Sequence, residues 1–114
     1  MRDIEEIKKE IVERLKPLEP MKIILFGSYA YGEPHEESDA DIYVVTEDEF
    51  IPRDWREKSA LYLRYSKRLR DLQKSVPIDL IVHTKKMHEK FVEMQSSFYR
   101  NDIAKGKILW QRPI

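Results

Sequence analysis

Three carboxylates and one Gly-Ser pair are the residues of this chain whose types and spacing could do chemistry. Gly27 and Ser28 follow the apolar run KIILF (22–26), and ten residues then separate Ser28 from Asp39. Asp39 and Asp41 stand one residue apart and lead into the apolar run IYVV (42–45). Asp79 lies inside a third apolar run, PIDLIV (77–82). Alternate side chains of a strand point to one face, so Asp39 and Asp41 project together, about 7 Å apart by strand rise. Carboxylate oxygens at that spacing can converge on a cation, and Asp79 on a neighbouring strand can close the site from a third side. Oxygen ligands with no His or Cys beside them favour Mg²⁺ or Mn²⁺ over zinc. Gly27 lets the backbone approach a phosphate with no Cβ in the way. The Ser28 hydroxyl and the amides that follow it can donate to phosphate oxygens. Together these are the parts needed to hold a nucleoside triphosphate with magnesium.

Each residue taken singly has a plainer account. Ser28 alone would be a helix cap, and Asp39 alone would be turn chemistry after Ser38. Asp41 is harder to set aside, because it enters an apolar strand where a buried carboxylate needs a partner. Asp79, between Ile78 and Leu80, is expected to be a core-strand acid, which is rare without a metal or a base. The combination favours a functional site. His83 falls on the same strand face as Asp79, whereas His35 and His88 carry no supporting pattern. Tyr29 and Tyr31 have the type to stack on a base, with core packing the equal alternative.

The elements that must position these groups follow from periodicity. Ile4, Ile7, Ile11 and Leu15 recur at helical spacing, which predicts an amphipathic helix over residues 3–16, ended by Pro17 and Pro20. A strand is expected over 22–26, a short helix capped by Ser28 through Tyr31, and a loop through Gly32 and Pro34 to Ser38. The second strand spans about 39–46. Trp55, Tyr62, Tyr65, Leu69 and Leu72 then form a helical stripe over 53–74, which assigns those aromatics to the core. Pro77 opens the third strand, to about His83. Met87, Phe91, Met94 and Phe98 mark a further helix, residues 101–105 continue it, and a last strand covers 107–111. If the first two strands run antiparallel, Gly27-Ser28 and the Asp pair meet at one edge of the sheet.

Composition narrows the function classes. The 114 residues are read as a single domain, 1–114, with 41% hydrophobic residues and no long apolar run to span a membrane. The N-terminal MRDIEEIKKEIVERL is charged and amphipathic, unlike a secretory signal. No cysteine is present, which excludes disulfides, thiol catalysis and zinc–thiolate sites and makes a cytoplasmic location the default. Lys plus Arg and Asp plus Glu each total 21, so the net charge is zero and a general nucleic-acid binder is disfavoured. The acids concentrate locally: Glu33, Glu36, Glu37, Asp39, Asp41, Glu47, Asp48 and Glu49 occupy 33–49 with no Lys or Arg among them. A divalent cation would relieve that repulsion.

The pattern of Gly-Ser, ten residues, Asp-x-Asp and a later strand Asp resembles the nucleotidyltransferase superfamily related to DNA polymerase beta. Length and economy resemble its minimal nucleotidyltransferase branch, over essentially the whole chain. The resemblance implies an α/β (α+β) fold, a small mixed β-sheet with helices packed on it. It also implies adenylyl transfer from ATP to an acceptor hydroxyl, with two Mg²⁺ ions (or Mn²⁺) held by Asp39, Asp41 and Asp79. Asp79 would bind the ion that activates the acceptor, and Gly27 and Ser28 would hold the β- and γ-phosphates. Many relatives carry an arginine in the turn where this chain has Tyr31, a charge that Arg53, Arg56 or another helix residue could replace. Larger members carry acceptor-binding domains for which this chain has no room, so the acceptor is expected in an open cleft or on another protein. Minimal members often pair with a helical HEPN-type ribonuclease toxin and silence it by adenylylation, which makes this chain an expected antitoxin. Two other readings stand beside it. One is a binding antitoxin that neutralises its partner by contact alone. The other is a transferase acting on a small molecule or nucleic acid, with a homo-oligomer building the acceptor site.

Overall fold

A computed structural model describes residues 3–30 and 39–113. The amphipathic N-terminal segment forms helix α1 (Ile4–Leu15), opened by Asp3, whose side chain accepts from the Glu5 amide at 3.2 Å. Such a cap satisfies an amide that helix geometry leaves orphaned. Ile7, Ile11 and Leu15 are buried in one stripe. A single 3₁₀ turn, Lys16–Leu18, carries Pro17 and ends at Glu19 in the left-handed region, so the prolines stop the helix as expected. Strands β1 (Lys22–Phe26) and β2 (Ala40–Val45) follow. Helix α2 (Trp55–Ser66) tightens to a 3₁₀ turn over Lys67–Leu69 and resumes as α3 (Arg70–Gln73). Strand β3 (Ile78–His83), helix α4 (Lys85–Met94), a π-helical segment (Tyr99–Ile103) and strand β4 (Lys107–Gln111) complete the described chain.

The four strands form one mixed sheet in the order β3-β2-β1-β4. β1 is antiparallel to both β2 and β4, and β2 is parallel to β3. The parallel pair needs a crossover, which α2 and α3 supply. They pack with α1 on one face, where Leu61, Tyr65, Leu69 and Leu72 join Ile7, Ile11, Leu15, Ile23, Leu25, Ile42 and Val44. On the opposite face Ile24, Phe26, Tyr43, Val45 and Ile103 form a second, smaller cluster, with Phe91 and Tyr99 against it. This is the α/β mixed sheet with packed helices that the sequence led us to expect. Among the described residues no helix is long and apolar enough to cross a membrane.

Several local expectations are corrected. No helix follows β1 within the described residues: Gly27 to Ala30 make a turn closed by the Ala30 amide on the Gly27 carbonyl at 3.0 Å. Tyr31 and the loop to Ser38 lie outside the described residues. Tyr29 is buried in the larger core. Trp55 and Tyr62 are not core residues but 72% and 40% exposed. Seven residues apart, they fall within about 20° of one another around a helix, roughly a quarter turn from the buried line of Leu61 and Tyr65. The stripe was real, but its apolar centre is Leu61 rather than Tyr62. α4 stops at Met94 because Gln95 turns left-handed, leaving Met94 itself 74% exposed.

Candidate active site

The pairing of the strands decides which side chains meet. Phe26 lies opposite Asp41 in the antiparallel pair, and Asp41 lies opposite Asp79 in the parallel pair. Residues directly opposite share a sheet face, so Phe26, Asp41 and Asp79 form one row across three strands. Asp39 immediately precedes β2 and has the parity of Asp41. Gly27 follows Phe26 at the end of β1, with φ +74°, a left-handed conformation that favours glycine. A Cβ there would collide with Asp41 Oδ2. The Gly27–Ala30 turn is therefore folded directly over the Asp41 carboxylate, with Ser28 half-buried beside it. The expected juxtaposition of the Gly-Ser turn with the Asp pair is what the antiparallel pairing produces.

Asp79 differs from expectation in one respect. It is exposed, not a core acid, and stands near the start of β3, an outer strand of the sheet. Asp41 is the half-buried member. Loss of solvent, followed by the like charges of Asp79, Asp39 and Asp102, pushes its carboxyl from 3.8 up to about 6. Among the described residues no three His, Asp or Glu side chains stand close enough to hold a metal as they are placed. The carboxylates thus line an open row rather than a closed cage. The donor set fits a hard divalent cation: it offers oxygen only, and an added positive charge would relieve the repulsion that Asp41 suffers.

Asp102 was not singled out from sequence. It belongs to the π-helical segment, whose Ile103 inserts beside Ile24 and Phe26 on the carboxylate face. A π turn breaks the 3.6-residue period, so no periodic signal marked it, although such turns often occur at functional positions. The Tyr43–His83–His88 cluster was missed as well. Tyr43, two residues beyond Asp41 on the same face, is fully buried, and its hydroxyl lies 2.9 Å from His83 Nδ1 and 2.8 Å from His88 Nδ1. A phenol donates one proton, so one ring nitrogen accepts from it and the other donates to it. Burial, then the neighbouring His88 and Lys58, push His83 down to about 4, and burial with Lys22 lowers His88. Both rings are held neutral, and the cluster ties α4 to β2 and β3 below the carboxylate row. The signal available in sequence was His83 and His88 at i and i+5, with Tyr43 on the facing strand.

Arg53 and Arg56 do not supply the charge that Tyr31 lacks. Arg53 pairs with Glu57 at 2.9 Å and Arg56 lies over the Trp55 ring. Arg53 lies just before α2, near Arg64 of the Asp48–Arg64 pair, and Arg56 lies in the first turn of α2, at the opposite end of β2 from Asp41.

A mixed sheet whose Gly turn bends over an acidic row defines a class. Residues 4–109 match the family model described as "Nucleotidyltransferase domain", and the chain belongs to that family: it is a nucleotidyltransferase. Among individual relatives, it is 36% identical over 110 residues to "Putative protein adenylyltransferase MJ0604" of Methanocaldococcus jannaschii, covering 93% of this chain and 97% of that protein. It is 31% identical over 90 residues to "Putative protein adenylyltransferase MJ0141" of the same organism, covering 79% of this chain and 85% of that one. Two solved structures share the fold. One is a toxin–antitoxin crystallised with AMP-PNP, at TM-score 0.55 and 23% identity. The other is a doubly substituted Asp-to-Glu variant of the toxin–antitoxin MntA-HpeT, at TM-score 0.54 and 21% identity. Each alignment covers 92% of this chain and 73% of the solved one.

Proposed function

We propose that this chain is a Mg²⁺-dependent protein adenylyltransferase of the cytoplasm that moves AMP from ATP onto a hydroxyl of a partner protein. The partner we propose is a helical HEPN-type toxin, which the modification silences. The observation that carries the reading is the row of Asp41 and Asp79 with the Gly27 turn folded over it. Gly27, lacking a Cβ, and Ser28, with its hydroxyl, hold the β- and γ-phosphates. Asp39 and Asp41 hold the cations, and Asp79, exposed at the open end of the row, receives the acceptor hydroxyl and its proton. The hydroxyl attacks the α-phosphorus in line, and pyrophosphate leaves. Magnesium, when bound, supplies neutralisation of the triphosphate charge and alignment of its oxygens. The names of the two archaeal relatives support a protein acceptor, and the toxin–antitoxin neighbours support a toxin in that place.

The test is purified chain with radiolabelled ATP, Mg²⁺ and the product of the neighbouring gene. Transfer of label to that protein, lost in Asp41→Asn, is the expected result. A stable complex without label, and neutralisation that survives Asp41→Asn, would replace this reading with the binding antitoxin.

A further inference from the structure

Among the described residues, the outer edge of β3 is an open hydrogen-bonding edge that runs directly to Asp79. In the parallel pair the Pro77 carbonyl accepts from the Ala40 amide at 2.9 Å, and the His83 carbonyl accepts from the Thr46 amide at 2.8 Å. Those two bonds fix the parity of the strand. Odd-numbered residues of β3 turn their peptide groups toward β2, so Ile78, Leu80 and Val82 turn theirs outward. β3 is the last strand of the sheet, and among the described residues no hydrogen bond reaches those outward groups. Proteins usually shorten, charge or cover such an edge, because it is a template for another strand.

Beside this edge runs a groove of about 370 Å³, lined by Lys58, Ser59 and Tyr62 of α2 and by Leu80 to His83 of β3. Tyr62 is the exposed aromatic that did not enter the core, and Trp55 continues its ridge along α2. Aromatic side chains of this kind are enriched where proteins meet. The groove therefore offers a row of backbone partners, an aromatic wall and one cation, with no carboxylate in its lining.

We propose that the acceptor protein presents its hydroxyl on an extended segment that adds to the outer edge of β3 as a fifth strand. This rests on the adenylyltransferase reading and specifies how that site selects its acceptor. Register makes the occupant specific. A residue placed opposite Asp79 shares its face, about 4.8 Å away across the ladder, and so continues the row of Phe26, Asp41 and Asp79 with a Ser, Thr or Tyr hydroxyl. The next residue along β3, opposite Leu80, turns to the α2 side and lies against Tyr62, where an apolar side chain fits. The residue opposite Val82 turns to the same side, toward Lys58, where an acidic side chain fits. The recognised segment, read along β3, is hydroxyl, apolar, any residue, acidic. Main-chain bonds give such a segment its affinity, and the alternate pockets give it specificity.

The test is residue-resolved hydrogen exchange of the whole chain, with and without excess heptapeptide built on that pattern with a Tyr, Ser or Thr hydroxyl. The Ile78, Leu80 and Val82 amides are expected to slow at least roughly tenfold with peptide. The amides of Ile81 and His83, already in the ladder with β2, stay unchanged. Val82→Pro removes one outward donor without touching the inner ladder, and Tyr62→Asp alters the groove wall without touching the core. Both should abolish the effect. Asp41→Asn should leave it intact, since strand addition needs neither ATP nor that carboxylate. Slowing centred on other residues, slowing that survives Tyr62→Asp, or none with any peptide overturns the edge proposal. Absence of adenylyl transfer by the wild-type chain to a peptide that produces the exchange pattern would instead overturn the catalytic reading.

Discussion

Replacing Asp41 with asparagine should make the metal-free protein more stable at neutral pH, although it removes a central group of the site. Burial and the charges of Asp79, Asp39 and Asp102 raise the Asp41 carboxyl from 3.8 to about 6. The folded protein thus holds that proton more tightly than the unfolded chain does. The associated stability is complete below about pH 4 and is lost as pH rises through about 6. At about 1.4 kcal/mol per pKa unit the shift corresponds to about 3 kcal/mol, but solvent reaches much of the side chain and screening reduces this to about 1 kcal/mol. Asparagine keeps the shape and never ionises, so its advantage over aspartate should be near zero at about pH 4 and reach about 1 kcal/mol by about pH 7. For a domain of this size that is about 4 °C in Tm. Urea titration in chelator across that pH range measures it, and adding Mg²⁺ should reverse the order by stabilising the wild type selectively. A variant less stable than the wild type at neutral pH in chelator, or a difference that does not vary with pH, would refute the reasoning.

Gly27→Ala should destabilise the fold by about 1–2 kcal/mol, since alanine is strained at φ +74°. Its Cβ also displaces the Asp41 carboxylate, so the Tm increase on adding ATP with Mg²⁺ should fall sharply in the same variant. Tyr43→Phe leaves two buried imidazole nitrogens without their shared partner and should cost about 1–3 kcal/mol by urea titration. For the wild type, the lowered His83 pKa means stability that is present above about 6.5 and lost as pH falls through about 4. Measured in the Asp41→Asn background, where the opposing Asp41 titration is gone, Tm should fall through that range, and a Tm insensitive to acid there would count against the buried neutral ring.

The four strands and the acidic row were legible because strand residues carry their own evidence. Alternation in 39–45 and the apolar runs at 22–26 and 77–82 state the element and the face together. The Gly27–Asp41 contact was legible because both ends of one antiparallel connection carried chemistry. What failed was rotation and burial. Trp55 and Tyr62 have apolar rings and helical spacing, yet spacing alone does not say which of two adjacent lines on a helix faces the sheet. Tyr65 and Leu69 served both lines, and only packing chose Leu61 over Tyr62. Asp79 looked buried because its sequence neighbours are apolar, whereas sheet order, which no single strand reveals, put it at the rim. The Tyr43–His83–His88 cluster spans three elements and depends on the parallel register of β2 with β3. Asp102 sits where the helix widens to a π turn, beyond any fixed period.

The placing of β1 between β2 and β4 has a consequence for how the chain is made. Translation delivers β1 early and β4 last of the described strands, so the most apolar strand, Ile23 to Phe26, waits with one edge unpaired until residues 107–111 leave the ribosome. An apolar strand with an open edge is the element most prone to join a neighbouring chain. The short β4, marginal by its burial, thus acts during biosynthesis as the seal on a nascent chain. Shortening the protein from its C-terminal side would cost soluble yield well before it touched a carboxylate.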